Sequence, residues 1–258
     1  MSDAPWYSRN PISKAAYKAI KRTRLNLQDI VDRRYYRHNL AKSERIAKAK
    51  VKITDSAYEA YIREQLEETL LKKRLKGEIH FEIIPLIDML TEKHDVRGER
   101  VLCVGCRNRD EIIYFRKKGA SHVVGIDLYS DHPDIEVMDM HDLKYPDGSF
   151  DVVYSRHSFE HAFDKRKAAH EFVRVLKPGG VVVIEVPGDY KGGADYNKFD
   201  SLNDVLVAFG DHVGEFILKE YSRKEENTDK MDIIRLSFHV EKPGVPSHKQ
   251  SAMPQGRG

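Results

Sequence analysis

Two histidines and a glutamate lie close together in the middle of the chain, at His157, Glu160 and His161. They follow Phe150–Tyr154, an aromatic and β-branched run that is typical of a buried strand. Imidazole and carboxylate groups accept protons near neutral pH, and a positioned base speeds such a transfer by roughly 10²–10⁴-fold. Residues of these types at the end of a strand are therefore candidates for the base of a reaction that removes a proton from a bound molecule. Either histidine could be the base, since a structural role for His161 and a solvated loop position for His157 fit the same pattern.

A second group of residues has the spacing of a nucleotide-binding loop. The predicted strand Arg100–Val104 leads into a loop that starts at Gly105, and the next strand, Val123–Ile126, ends on Asp127. A glycine in such a loop lets a ligand approach the N-terminus of the following helix, and the acid accepts hydrogen bonds from two ribose hydroxyls. The pattern therefore predicts a site for an adenosine-containing cofactor.

The elements that must position these residues alternate between strand and helix, which is typical of a parallel sheet covered on both faces. The predicted strands are Arg100–Val104, Val123–Ile126, Glu136–Met138, Phe150–Tyr154, Val181–Val186, Glu215–Tyr221 and Asp232–Val240. The predicted helices between them are Asp110–Lys118, Lys165–Leu176 and Asp200–Phe209. The last two strands have the pattern of an antiparallel pair.

The part of the chain before the sheet is predicted to be helical. Asp55-Ser56 can cap a long helix over Ala57–Lys76, and a further helix is expected over Ile79–Thr91, with Pro85 at a kink or in the first turn. The long helix has an apolar stripe formed by Tyr58, Ile62, Leu66 and Leu70. We therefore expect a helical segment that packs on the sheet.

Charge is distributed unevenly along the chain. Residues 1–52 carry fourteen Lys and Arg against four Asp and Glu, a balance of +10, and the remainder carries thirty against thirty-seven, a balance of −7. Such a basic segment can bind phosphate groups on RNA, a nucleotide-sugar or an anionic lipid surface, or it can dock on an acidic body. The sequence has no run of about 18 apolar residues, so no membrane span is predicted. The two cysteines, Cys103 and Cys106, are expected to be free thiols in a cytoplasmic protein.

The motifs of Arg97–Val240 resemble those of the class I S-adenosylmethionine-dependent methyltransferases. The family's first motif, acid-x-Gly-x-Gly-x-Gly, corresponds to the segment from Cys103 to Arg109, which keeps the first glycine and has Arg107 and Arg109 in place of the others. Further matches are Asp127 for the ribose acid, Asp139-Met140 for the pair beside adenine, Phe150–Ser155 for the fourth strand, Glu160-His161 for a pair frequent in small-molecule O-methyltransferases, and Leu176–Gly180 for the turn before the fifth strand.

The resemblance implies an α/β fold: a Rossmann-like, seven-stranded methyltransferase sheet, mostly parallel with an antiparallel last strand, and an N-terminal helical extension. It implies S-adenosyl-L-methionine as the cofactor. The residues expected to bind it are Gly105, Cys106, Arg107, Asn108, Asp127, Leu128, Asp139, Met140 and Ser155. We expect a basic helical extension or lid over residues 1–95, the cofactor-binding domain over residues 96–242, and a disordered tail over residues 243–258.

The reaction class is narrowed by motifs that do not occur. An Asn/Asp-Pro-Pro-Tyr/Phe motif, typical of enzymes that methylate amide or adenine amino groups, is replaced here by Ser155–Ser158, and no His/Asp cluster has the spacing of metal ligands. The leading hypothesis is O-methylation of a small molecule or of a sugar unit in a glycan, and acceptors that bear phosphate are included. An RNA methyltransferase that uses the basic arm is a less favoured alternative, and a non-catalytic binding subunit is another.

Overall fold

Seven strands form one mixed sheet in the described part of the chain, which comprises residues 37–76, 84–130, 132–190, 192–226 and 231–242 of the computed structural model. The spatial order is β3-β2-β1-β4-β5-β7-β6, and only β7 runs antiparallel to its neighbours. The strands are β1 Arg100–Val104, β2 His122–Asp127, β3 Ile135–Val137, β4 Phe150–Arg156, β5 Leu176–Gly188, β6 Val213–Ser222 and β7 Asp232–Val240. The predicted methyltransferase-type sheet is thus confirmed.

Six α-helices lie in the described part of the chain, and the last four of them pack on this sheet. They are α1 over residues 37–50, α2 Ser56–Lys76, α3 Ile84–Thr91, α4 Asp110–Lys117, α5 Lys165–Val175 and α6 Leu202–Leu206. One apolar core lies between the sheet and α5, and a second one lies between the opposite face and α3 and α4. β5 runs through both cores, because its residues from Val181 onward are buried on either face.

The chain divides into two compact units, Met1–Ser43 and Glu44–Gly258. Only residues 37–43 of the first unit are described, and they are helical. Most of the predicted basic arm and the predicted tail over residues 243–258 lie outside the described residues, and the predicted boundary after residue 95 stays a prediction. No described helix combines the length and the apolar composition that a membrane span needs.

The start of α2 follows the predicted capping pattern. The Asp55 Oδ1 atom accepts a hydrogen bond from the Tyr58 peptide N–H at 2.9 Å, which satisfies one of the donors that a helix start leaves unpaired. All four residues of the predicted apolar stripe are buried. Pro85 is the second residue of α3, where its missing N–H removes no helical hydrogen bond. The segment in which α3 was predicted to begin lies outside the described residues.

Apart from α3, two predicted elements differ from the structure by more than two residues at one end, and the other differences are of one or two residues. β5 begins at Leu176, because Leu176 already pairs with Phe150 before the Gly179 turn, and the register shifts there. The predicted helix over Asp200–Phe209 is only the short α6. Its first turn starts later because the Asp204 carboxylate accepts the Ser201 N–H at 2.8 Å and holds that residue outside the helix.

Candidate functional site

A cleft lies at the carboxyl ends of β1, β2 and β4, and α2 forms one of its walls. The empty space in and above this cleft is about 590 Å³, and it includes open solvent. α2 contributes Tyr61, Gln65, Glu68 and Thr69 to the lining. Because the ends of neighbouring parallel strands meet at one edge, residues far apart in sequence converge here.

Eight of the twelve predicted site residues line this cleft: Gly105, Arg107, Asp127, Leu128, Asp139, Met140, His157 and His161. The other four are not among the lining residues. Cys106 is buried with its Sγ 3.8 Å from the Ile126 carbonyl oxygen, and the Asn108 Oδ1 accepts the N–H of Asp110. Ser155 is buried against the Ser158 hydroxyl at 2.7 Å, and Glu160 is buried beneath His161 in the same short helical turn. Because Cys106, Ser155 and Glu160 are buried, they would act through backbone groups or through neighbouring side chains.

The turn after β1 needs its glycine for two reasons. Gly105 has a φ of +72°, which L side chains rarely adopt, and a Cβ at this position would lie 2.2 Å from the Ser158 Cβ. Its N–H donates to the Ile126 carbonyl at 2.8 Å, so the turn is fixed to the end of β2. The Ser158 hydroxyl in turn donates to the Val104 carbonyl at 2.8 Å. The backbone therefore approaches the cleft closely where a cofactor would lie.

The two arginines at the family's glycine positions have different surroundings. The Arg109 Nε donates to the Asp134 carboxylate at 3.2 Å, and this side chain does not line the cleft. Arg107 lines the cleft, and its Nε is buried without a hydrogen-bond partner among the described residues. A buried donor without a partner is costly, and a ligand carboxylate would satisfy it. The loop thus fits a cofactor that carries a carboxylate, as the methionine part of S-adenosylmethionine does.

Two acids stand where the resemblance places the ribose and adenine ligands. Asp127 ends β2, and its Oδ1 accepts the Tyr129 N–H at 3.0 Å. Asp139 is buried in the cleft wall. Burial favours a higher pKa for Asp139, but hydrogen bonds from His141 and Tyr58 outweigh it, so the pKa of this carboxyl lies below its ordinary value. Asp139 is therefore an anion that accepts hydrogen bonds.

His161 is oriented by an acid that sequence analysis missed. Its Nδ1 lies 2.9 Å from the Asp195 Oδ1 and 3.2 Å from the Ala194 carbonyl oxygen. Both partners only accept hydrogen bonds, so in the neutral ring Nδ1 carries the proton and Nε2 is the basic nitrogen. Asp195 is buried in the loop after β5, thirty-four residues beyond His161, and no motif marks it. The pair has the arrangement of a general base with its positioning carboxylate.

His157 is held by buried charges. It has a φ of +47°, its N–H donates to the Glu185 carbonyl at 2.9 Å, and its Nε2 lies 3.3 Å from the Glu185 Oε1. Glu185 also pairs with Arg156 at 2.7 Å and with Arg235 at 2.6 Å. Burial would raise the pKa of Glu185, but the hydrogen bond from His157 and the two guanidinium groups lower it to about 2. Both ring nitrogens of His157 lie beside buried carboxylates, since its Nδ1 is also 3.8 Å from the Glu160 Oε1, and we therefore favour His161 as the base.

Glu160 adds a buried carboxyl group to the same corner. Its Oε2 is buried without a hydrogen-bond partner among the described residues, and burial raises the pKa of this carboxyl. Glu160, His161 and Asp195 offer ligand atoms within 4.8 Å of one another, and they form the one described group with the residue types of a metal site. The bond between His161 and Asp195 already assigns the imidazole Nδ1 to a carboxylate. We therefore interpret the corner as acid–base machinery.

Comparisons with known proteins agree with this geometry. Residues 102–184 match the family described as a methyltransferase domain. Phosphoethanolamine N-methyltransferase 1 of Arabidopsis thaliana is 40% identical over 101 residues, which cover 34% of this chain and 21% of that protein. A 2-methyl-6-phytyl-1,4-hydroquinone methyltransferase of Synechocystis sp. is 34% identical over 138 residues, which cover 48% of this chain and 41% of that one. The chain thus spans about a fifth of the plant relative's length.

Solved structures share the fold at low sequence identity. A Burkholderia thailandensis 1,6-didemethyltoxoflavin-N1-methyltransferase, solved with 1,6-didemethyltoxoflavin and S-adenosylhomocysteine, has a TM-score of 0.54 and 14% identity. The match covers 75% of this chain and 93% of that one. At this identity the likeness concerns the fold alone.

Proposed function

The chain contains the domain of the class I S-adenosylmethionine-dependent methyltransferases, and from this premise we propose that it methylates a hydroxyl of a small polar molecule, with His161 as the general base. The observation that carries the proposal is the bond between His161 and Asp195 at the cleft wall, which leaves the imidazole Nε2 as the basic nitrogen. S-adenosylmethionine supplies a methyl group on a positively charged sulfur, and this activates the carbon toward attack. The protein must then orient the acceptor and take its proton.

The cleft offers a separate group for each part of the cofactor. Asp127 would accept hydrogen bonds from the ribose hydroxyls, and Asp139 would accept a hydrogen bond from the exocyclic amine of adenine. The buried Arg107 Nε would donate a hydrogen bond to the methionine carboxylate. Each of these groups has the charge and hydrogen-bonding role that its partner requires.

The acceptor would lie between the cofactor loop and α2. Gln65, Glu68 and Thr69 make this wall polar, which favours a molecule with several hydroxyls, such as a sugar unit. Bound S-adenosylmethionine would supply the methyl group to the acceptor oxygen and would retain the electron pair of the broken carbon–sulfur bond on sulfur. The hydroxyl proton passes to the His161 Nε2, and the Asp195 carboxylate stabilises the resulting imidazolium.

Methylation of a small amine is a second candidate. Phosphoethanolamine N-methyltransferases of plants are among the relatives, at 34–40% identity over a little more than a third of this chain. An ammonium acceptor must also lose a proton before it can attack, so the same base would serve. The α2 wall of the cleft lies outside the 102–184 match to the methyltransferase family, so that match carries no information about acceptor contacts on this wall.

The test compares turnover and cofactor binding in matched variants. Release of S-adenosylhomocysteine is first measured with a panel of sugars, other alcohols, phenols and small amines. With the best acceptor, we expect His161→Ala to lower turnover at least about tenfold, because a lost base costs roughly 10²–10⁴-fold, and to leave S-adenosylhomocysteine affinity within a few-fold. His170→Ala, at an exposed position on α5, is the control and should change neither quantity.

The dependence on pH provides a second criterion. Turnover should fall at acidic pH, because a protonated ring cannot accept a proton. Full turnover in His161→Ala, together with a rate that is flat from about pH 5.5 to about 8, would place the base elsewhere. A variant that loses turnover and cofactor binding together would show a structural histidine instead.

A further inference from the structure

Tyr58, Asp139 and His141 form a closed group of hydrogen bonds in the protein interior. The Asp139 Oδ2 accepts the Tyr58 hydroxyl at 2.5 Å, and its Oδ1 accepts both the His141 N–H at 2.9 Å and the His141 ring Nδ1–H at 2.6 Å. The Tyr58 oxygen also lies 3.0 Å from the same Nδ1. All three side chains are at most 5% exposed. Removing three polar groups from water is costly, and these short contacts offset that cost.

The second nitrogen of His141 determines the direction of these bonds. The Asp164 peptide N–H donates to the His141 Nε2 at 3.2 Å, so Nδ1 carries the ring proton and donates to Asp139. Asp164 is the N-cap residue of α5, where its carboxylate accepts the N–H groups of Arg166 and Lys167. The Asp139 carboxylate is therefore anchored to the start of α5 through His141 and to α2 through Tyr58.

We infer that Tyr58 and His141 are positioning residues for the cofactor's adenine and act on it through Asp139. The inference rests on the proposed function. A carboxylate has about four acceptor positions, and protein donors fill three of them, which leaves one for the exocyclic amine. Because the anion can neither rotate nor take up a proton easily, it accepts an amino group at position 6 of a purine and repels a carbonyl oxygen there. The group thus sets both cofactor affinity and the choice of base.

Tyr58 also links cofactor recognition to the acceptor side of the cleft. The helix that carries it contributes Tyr61 and Gln65 to the lining, one and two turns further along. Two other bonds hold the same helix without touching Asp139. The Gln65 Nε2 donates to the Ala194 carbonyl at 2.7 Å, and the Tyr196 hydroxyl donates to the Glu64 carboxylate at 2.9 Å. The bond from Tyr196 is thus a matched control, since it also joins a tyrosine hydroxyl to a carboxylate.

The experiment titrates S-adenosylhomocysteine and its 6-oxo analogue, S-inosylhomocysteine, by calorimetry into three proteins that each comprise all 258 residues. The wild type should prefer the amino compound. Tyr58→Phe should weaken S-adenosylhomocysteine binding at least about fivefold and reduce the preference at least about threefold, because a charge-assisted hydrogen bond that fixes the anion is lost. Tyr196→Phe should leave affinity and preference within about twofold of the wild type. Thermal melting of each protein shows whether it is folded.

His141→Asn is a second variant, which removes the ring bond and keeps the Tyr58 hydroxyl. It should also reduce the preference for the amino compound. Equal behaviour of Tyr58→Phe and Tyr196→Phe, or a loss of affinity in Tyr58→Phe that is the same for both ligands, would show a merely structural role and overturn the inference. A wild-type chain that binds neither ligand would refute the proposed function as well.

Discussion

At the scale of residues, three imidazoles around the cleft are each fixed by a buried carboxylate. His141 is held by Asp139 and His161 by Asp195, and His157 lies against Glu185. The carboxylate determines which ring nitrogen carries the proton and therefore which one is basic. Only His161 combines this support with a position in the cleft wall and no part in the Glu185 network of ion pairs. The partner of His161 thus distinguishes it from His157, and the sequence alone could not make this distinction.

A fourth acid in this region has no such partner. Glu111 lies in the first turn of α4, directly after the cofactor loop, and its Oε2 is buried without a hydrogen bond among the described residues. Burial raises the pKa of Glu111 to about 8. The folded protein therefore keeps this proton at pH values where the unfolded chain has already lost it.

The expected consequence is a stability that falls as the pH rises. Below the unfolded pKa, about 4.5, both states are protonated and no penalty applies. Between that value and about pH 8 the free energy of unfolding should drop by up to about 1.4 kcal/mol per pH unit. Glu111→Gln should remove this dependence, so its gain in free energy of unfolding over the wild type should be larger at pH 8 than at pH 5. Urea unfolding at both pH values tests this, with Glu92→Gln, at an exposed position, as the control. Equal gains at both pH values would show that Glu111 is ionised in the folded protein.

At the scale of elements, the ends of β1 and β4 hold each other in place. The backbone turn at Gly105 packs directly on Ser158, and the Ser158 hydroxyl donates back to Val104 at the end of β1. A strand end that is fixed in this way positions the loop after it, and here the loops after β1 and β4 form facing parts of the same cleft. The first glycine of the motif therefore serves the contact between two loops as well as the approach of a ligand.

This contact predicts different costs for two glycine substitutions. Gly105→Ala and Gly98→Ala both place a side chain at positive φ, +72° and +78°, but only the first meets a neighbour, at 2.2 Å. The strain at Gly98 should cost about 1–2 kcal/mol of unfolding free energy, and Gly105→Ala should cost clearly more because the loops must separate. It should also weaken S-adenosylhomocysteine binding, whereas Gly98→Ala should not. Chemical denaturation and calorimetry measure both effects. Equal costs and unchanged binding would mean that the Ser158 loop gives way freely.

At the scale of the whole molecule, most strands of the sheet and the acids at the strand ends could be predicted from the sequence, but the partners of the site residues could not. Strands with β-branched runs, such as Val181–Val186, and acids at strand ends, such as Asp127, follow from local patterns that parallel sheets impose. Asp195 and the bond from Tyr58 to Asp139 could not be predicted, because they join segments that meet only in the folded chain. The prediction that Leu176 ends a helix is wrong for a similar reason. Leu176 pairs with Phe150 of β4, and this contact with a distant segment overrides its local preference.

We expect the cleft to bind the cofactor through Asp127 at the end of β2. Calorimetric titration of S-adenosylhomocysteine is the most direct test. The wild type should bind, and Asp127→Ala should bind roughly tenfold or more weakly, because two charge-assisted hydrogen bonds to the ribose are lost. Asp95→Ala, at an exposed carboxylate outside the cleft, should match the wild type. Equal affinity of the wild type and Asp127→Ala, or no binding by the wild type, would contradict the account.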